Sequence, residues 1–134
     1  MHPTETAGHT DREAVLDVLK NLYRAWAAND ADAFIADYDP DATSVVRGVV
    51  NVGSEAVRAS MAAGFAGPLK DSHTVDEPQQ VRFPVPGTAI VVSRSAVVLA
   101  GRSEPPADGW IVATWTLIHR DGRWLVTSYH NCAA

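Results

Sequence analysis

Asp121-Gly122 stands between two apolar runs, residues 110–119 and 123–131. An Asp-Gly pair in that setting predicts a two-residue hairpin, because both turn positions need positive φ. A two-residue turn also fixes register. It sets Arg120 opposite Arg123, Ile118 opposite Leu125, Thr116 opposite Thr127 and Thr114 opposite Tyr129. Directly opposed residues share a sheet face. One face is then expected to carry Val112, Thr114, Thr116, Ile118, Leu125, Thr127, Tyr129 and Asn131. The other carries Ile111, Ala113, Trp115, Leu117, Trp124, Val126, Ser128 and His130. Both faces are partly apolar, so both need covering. Buried threonine, tyrosine and asparagine need hydrogen-bond partners, which a pocket can offer. The hydroxyl-bearing face is therefore expected to meet the helices. The tryptophan face is expected to meet a second copy of the chain.

The rest of the chain supplies those helices and further strands. Residues 1–9 read as a loose tail. Thr10-Asp11-Arg12-Glu13 reads as a capping box, followed by Val15, Val18, Leu19, Leu22 and Trp26 at helical spacing as far as Asn29. Asp30 can cap a short second helix carrying Phe34, Ile35 and Tyr38. Residues 43–52 are β-branched and predict a strand or hairpin bending at Gly48. Ser54 is expected to cap a third helix with Val57, Met61 and Phe65 on one face, ended by Gly67-Pro68. Residues 73–83 form an edge or irregular strand broken by Pro78. Pro86-Gly87 turns the chain into a long strand over 88–100, and 101–109 is a polar loop. The predicted fold class is α+β, with one domain over residues 10–134.

Composition removes several functions. The chain has 134 residues and a net charge of -5, with no basic patch, so nucleic acid and anionic membrane are not expected partners. Cys132 is the single cysteine, which excludes an internal disulfide and a thiolate metal cage. No apolar stretch reaches membrane-spanning length or has the form of a signal peptide, so a cytoplasmic location is expected. No histidine spacing suggests a metal, and no flavin, nicotinamide or phosphate-loop motif is present, so no cofactor is expected.

Several segments together resemble the nuclear-transport-factor-two-like superfamily, which includes ketosteroid isomerase and the SnoaL-like proteins. They are Trp26-Ala27-Ala28-Asn29-Asp30 leading to Tyr38 and Asp41-Ala42-Thr43, then Gly53-Ser54-Glu55-Ala56-Val57, then Asp121-Gly122-Arg123-Trp124. The resemblance covers residues 11–132. It implies a cystatin-like cone, in which three N-terminal helices pack in a curved, mostly antiparallel sheet around an internal pocket, and often a dimer through the outer sheet face. The stretches "VRFPVPGTAIVVSR" and "DGRWLVTSYHN" are similar to the SgcJ/EcaC-type branch of enediyne antibiotic clusters. That similarity implies a setting in polyketide secondary metabolism. Ketosteroid isomerase chemistry does not carry over. Val46 occupies the position of the general-base aspartate and Leu22 that of the first-helix tyrosine; the pocket tyrosine matches at Tyr38.

The expected ligand is an apolar polyketide or polyene intermediate, bound or transformed without a metal by isomerase- or cyclase-type chemistry. The alternative is a non-catalytic binding or chaperone partner of the polyketide machinery. In the cone alignment Ile90, Val92, Arg94 and Ala96 face the pocket and Ser93 and Ser95 face away. The Arg94 guanidinium would then hold a ligand oxygen; otherwise it is a surface ion-pair partner. Tyr129 and Asn131 are candidate ligand contacts or simple caps of the last strand. Trp26, Tyr38 and Met61 are candidate pocket walls or plain core. Thr114 is a candidate contact or a good strand former. His73 lies near the expected mouth, His119 at a hairpin end, His130 at the expected interface, and His2 and His9 in the tail. No catalytic residue is assigned.

Overall fold

The structure, a computed structural model, describes the backbone of residues 3–134 and the side chains from residue 11 onward. Among these the order is α1 (Pro3–Ala27), α2 (Ala31–Phe34), β1 (Tyr38–Val46), β2 (Val49–Val52), α3 (Ser54–Phe65), β3 (His73–Val85), β4 (Thr88–Val98), β5 (Ile111–Arg120) and β6 (Arg123–Ala133). The helical backbone of α1 runs through most of the segment expected as a tail. Residues 1 and 2, including His2, and the side chains of His9 and the expected cap Thr10 lie outside the described residues.

The helix stripe is as the spacing requires. Val15, Val18, Leu19, Leu22 and Ala25 of α1 are buried in one core with Phe34, Val57 and Phe65. Asp30 caps α2, its carboxylate accepting from the Ala33 amide at 3.0 Å. Two local expectations change. Tyr38 opens β1 rather than closing a helix. Gly53, not Ser54, is the cap of α3 and makes no side-chain cap bond.

The six strands form one sheet in the order β2-β1-β6-β5-β4-β3. Every pairing is antiparallel except β1 with β6. β3 is an edge strand whose register slips between Pro78 and Gln80, where proline removes a ladder donor. The Asp121-Gly122 turn has φ of 52° and 81° at its two positions, as a two-residue hairpin needs.

The expected faces are reversed, for two reasons. Pairing follows the two-residue register through Ile118↔Leu125 and Leu117↔Val126, then jumps to Thr116↔Ser128. Thr127 is the extra residue of a β-bulge, so every later β6 side chain changes face. Tyr129 pairs with Trp115 and Asn131 with Ala113, not with Thr114 and Val112. In addition, the face towards the helices is the one bearing Trp115, Leu117, Trp124 and Val126, all buried in the core with α1. Thr114 is exposed on the outer face, and Val112 is 37% exposed. Burying indole and aliphatic surface against α1 removes far more apolar area from water than burying threonines would.

Candidate functional site

Following β4 with its neighbours locates the polar groups of the interior. Ala89, Val91, Ser93 and Ser95 pair with Leu117, Trp115, Ala113 and Ile111 and are all buried. Period-two alternation then puts Arg94 on the outside. The expectation that Ile90, Val92 and Arg94 face the pocket is corrected: they face outward, and Ser93 and Ser95 are the β4 residues that face the interior. Arg94 lies opposite Glu77 and Val112. Its guanidinium reaches the Glu77 carboxylate at 3.6 Å and lies 4.1 Å over the Trp110 ring, with 43% of the side chain exposed. It is a surface ion-pair and cation–π residue.

Opposite Ser95 on β3 is Asp76. Tyr23 of α1 donates to one oxygen of Asp76 at 3.5 Å, and Ser93 donates to the other at 3.5 Å. Ser95 lies beside the same carboxylate but makes no well-formed hydrogen bond among the described residues. The four side chains come from three elements that meet where the sheet edge crosses α1. Burial pushes the Asp76 carboxyl above its ordinary range, which the hydroxyls of Ser95, Ser93 and Tyr23 offset only in part. Burial also holds the Tyr23 phenol well above its usual value, with the Asp76 charge adding to the effect. Tyr23 therefore stays a donor at neutral pH, beside a carboxylate that is a stronger base than a solvated one.

Tyr23 meets the edge of Trp115 at 6.2 Å, and Trp115 meets Tyr129 at 4.2 Å between ring centres. Burial pushes the Tyr129 phenol up to about 12; Asn131 donates to its oxygen at 2.8 Å. Tyr38 is buried, its phenol also raised by burial and by the proximity of Tyr129. The structure thus gathers Tyr38, Tyr129 and Asn131 from the sequence candidates and adds Tyr23, Asp76, Ser93 and Ser95.

Trp26 and Met61 do not join them. Trp26 is spent on packing: its edge contacts are with Phe34 and Phe65, and its indole N–H donates to Ser72 at 2.8 Å. Met61 packs against the same core. Phe34 also meets Tyr38 and Phe65, so aromatic rings fill the centre of the molecule. A cleft of about 420 Å³ lies between α1 and β3, and another of about 440 Å³ lies at the loop of Leu99 and residues 102–106, away from these polar groups. Leu16, Leu19, Ala27 and Pro78 form the apolar walls of the first, and Tyr23, Thr74 and Asp76 its polar floor. That size is at the small end for ligand pockets.

Tyr23 was missed because it lies one position beyond the core stripe of α1. Leu16, Leu19, Lys20, Tyr23 and Ala27 make a second stripe at helical spacing, and that was the available signal. Asp76 had none: it lies in a strand whose proline hides the alternation. His73 is exposed and lines this side cleft rather than the mouth of a central pocket. His119 lies against the edge of Trp124, and His130 pairs with Thr114 on the outer face rather than on the tryptophan face.

Helices on one face of a curved six-stranded mixed sheet, with a polar floor under α1, define a pocket-bearing α+β protein of the cystatin-like, nuclear-transport-factor-two-like class. The chain belongs to the SnoaL-like family, whose domain matches residues 9–130. A cystatin-like domain of unknown function from Nostoc punctiforme is similar, with a TM-score of 0.86 at 20% identity over 93% of this chain and 78% of that one. So is a cystatin-like protein from Novosphingobium aromaticivorans, with a TM-score of 0.81 at 16% identity over 98% and 86%. A candidate scytalone dehydratase from the same organism gives a TM-score of 0.80 at 13% identity over 97% and 88%. These likenesses show the fold. No curated protein matches the chain.

Proposed function

We propose that this protein binds a small polyketide-like molecule in the α1–β3 cleft and moves a proton on it, in an isomerase-, cyclase- or dehydratase-type reaction. The observation that carries the reading is the Tyr23–Asp76 pair, with Ser93 and Ser95 beside it, under apolar walls. Asp76 is the proton acceptor and donor. Tyr23 donates to oxygen where negative charge develops. Tyr129 and Asn131 sit behind them and hold Trp115 and Tyr23 in place. The likeness to a candidate scytalone dehydratase is compatible with such chemistry. The finer setting, a polyene or enediyne pathway, rests on the similarity of residues 81–94 and 121–131 to that branch. A homodimer through the outer sheet face is part of the same proposal. Its residues are Ile90, Val92, Val112 and Thr114 around Arg94, in place of the buried tryptophans.

The second reading is a non-catalytic binder. The 3.5 Å length of the Tyr23–Asp76 contact favours it, since a short bond would mark a better-formed acid–base pair. A conjugated ketone, nona-3,5,7-trien-2-one, separates the two. With the wild type its absorbance should shift on binding and then decay. With Asp76→Asn the shift should remain without the decay. A shift that never decays with the wild type selects the non-catalytic reading. Absence of any shift contradicts both.

A further inference from the structure

The rim of the cleft carries charge that the polar floor does not use. Lys20 and Arg24 of α1 line it beside the His73 imidazole of β3, and all three are exposed. Lys20 and Arg24 are four residues apart, so they stand on one face of the helix one turn from each other, with Tyr23 beside them. Among the described residues none of the three sits in an ion pair. The Arg24 guanidinium bonds, among the described residues, to a neutral group, donating to Asn21 Oδ1 at 2.9 Å. Apart from Asp76 on the floor, the acidic residues nearby on β3 and before it are engaged elsewhere. Glu77 reaches over the opposite face of the sheet to Arg94, and Asp71 accepts from Asn29 at 2.8 Å. In a chain of net charge -5, Lys20 and Arg24 set two free positive charges at the mouth of an apolar cleft.

From this arrangement we infer that the cleft takes an anionic amphipathic ligand, a carboxylic acid whose charged end is held at the rim by Lys20 and Arg24 while its apolar body lies along Leu16, Leu19 and Pro78. The inference rests on the small-molecule reading and narrows the ligand class. Lys20 supplies a mobile point charge and Arg24 a planar fork that matches a carboxylate. The orientation follows from charge: the carboxylate belongs at the cationic rim, away from the Asp76 carboxyl on the floor. The reacting part of the molecule, several carbons from its acid group, then lies at Tyr23 and Asp76.

Three probes of equal chain length test this by titration calorimetry at low salt: decanoate, decanol and decyltrimethylammonium, each below its micelle threshold. Decanoate should bind at least about tenfold more tightly than decanol, and the ammonium more weakly than either. The preference for the acid should shrink as salt is added. Lys20→Glu/Arg24→Glu changes two exposed side chains; its circular dichroism should match the wild type, and its preference for decanoate should vanish or invert. Equal affinity for acid and alcohol, or a preference that survives the charge reversal, overturns this inference and leaves the small-molecule reading standing. Failure of the wild type to bind any of the three overturns both.

Discussion

Arg94 and Asp76 illustrate how one residue of offset decides between surface and site. Arg94 stands in the middle of the apolar run 90–99, yet alternation turns it outward to Glu77 and Trp110. An exposed ion pair contributes less than about 1 kcal/mol, so Arg94→Ala should cost about that in stability and leave affinity for the trienone unchanged. A combined calorimetric and binding measurement checks it; a tenfold loss of affinity would return Arg94 to the site. Asp76 is the opposite case. Its folded pKa is raised, so the charged form is disfavoured by folding. The stabilisation from its neutral form is present below the unfolded value of about 3.9 and lost as pH rises through the folded value. Asp76→Asn should therefore raise the melting temperature at pH 7 while abolishing trienone turnover. A lower melting temperature would show that the carboxylate holds the fold together.

At the scale of elements, the bulge at Thr127 organises the inner face. Asp39, buried at the start of β1, accepts from the Thr127 hydroxyl at 3.1 Å, the Arg120 guanidinium at 3.2 Å and the Asp41 amide at 3.2 Å. Burial alone would raise its carboxyl, but these three donors outweigh it and hold the pKa below the ordinary range. The sign is the reverse of Asp76. The stabilisation is present above about pH 3.9 and fades as pH falls through the lower folded value. Asp39→Asn should cost about 2 kcal/mol at pH 7 and flatten the acid limb of the stability–pH profile. A flat acid limb in the wild type would contradict this role. Without the bulge Tyr129 would point away from Trp115, so Asp39→Asn should also weaken trienone binding. The elements themselves were legible. The α1 stripe, the Asp30 cap, the irregular β3 and the Asp-Gly hairpin all follow from local spacing and turn chemistry. The inward side of Tyr129 and Asn131 was not, because it depends on a bulge pinned by Asp39, 88 residues before Thr127 in the chain. Local pattern carries no trace of a contact that distant. Thr114 lies outside because the helices cover the face of β5 that bears Trp115 and Leu117, and the register of β4 against β3 brings Asp76 in.

For the whole molecule, the centre of the cone is closed by Trp26, Phe34, Tyr38 and Phe65, and the proposed cleft lies to one side, between α1 and the edge strand β3. The outer sheet face is left with partly exposed aliphatics, and sedimentation equilibrium should give a dimer that Val92→Asp converts to monomer; a monomeric wild type would rule that assembly out. Such a dimer would leave the cleft open, since the two surfaces are on opposite sides of the sheet. Amide chemical-shift mapping with nona-3,5,7-trien-2-one tests the placement of the site most directly. The largest changes should fall at Leu19, Tyr23, Thr74 and Asp76. Changes centred instead on Val92, Arg94 and Thr114 of the outer face would contradict the α1–β3 cleft as the functional site.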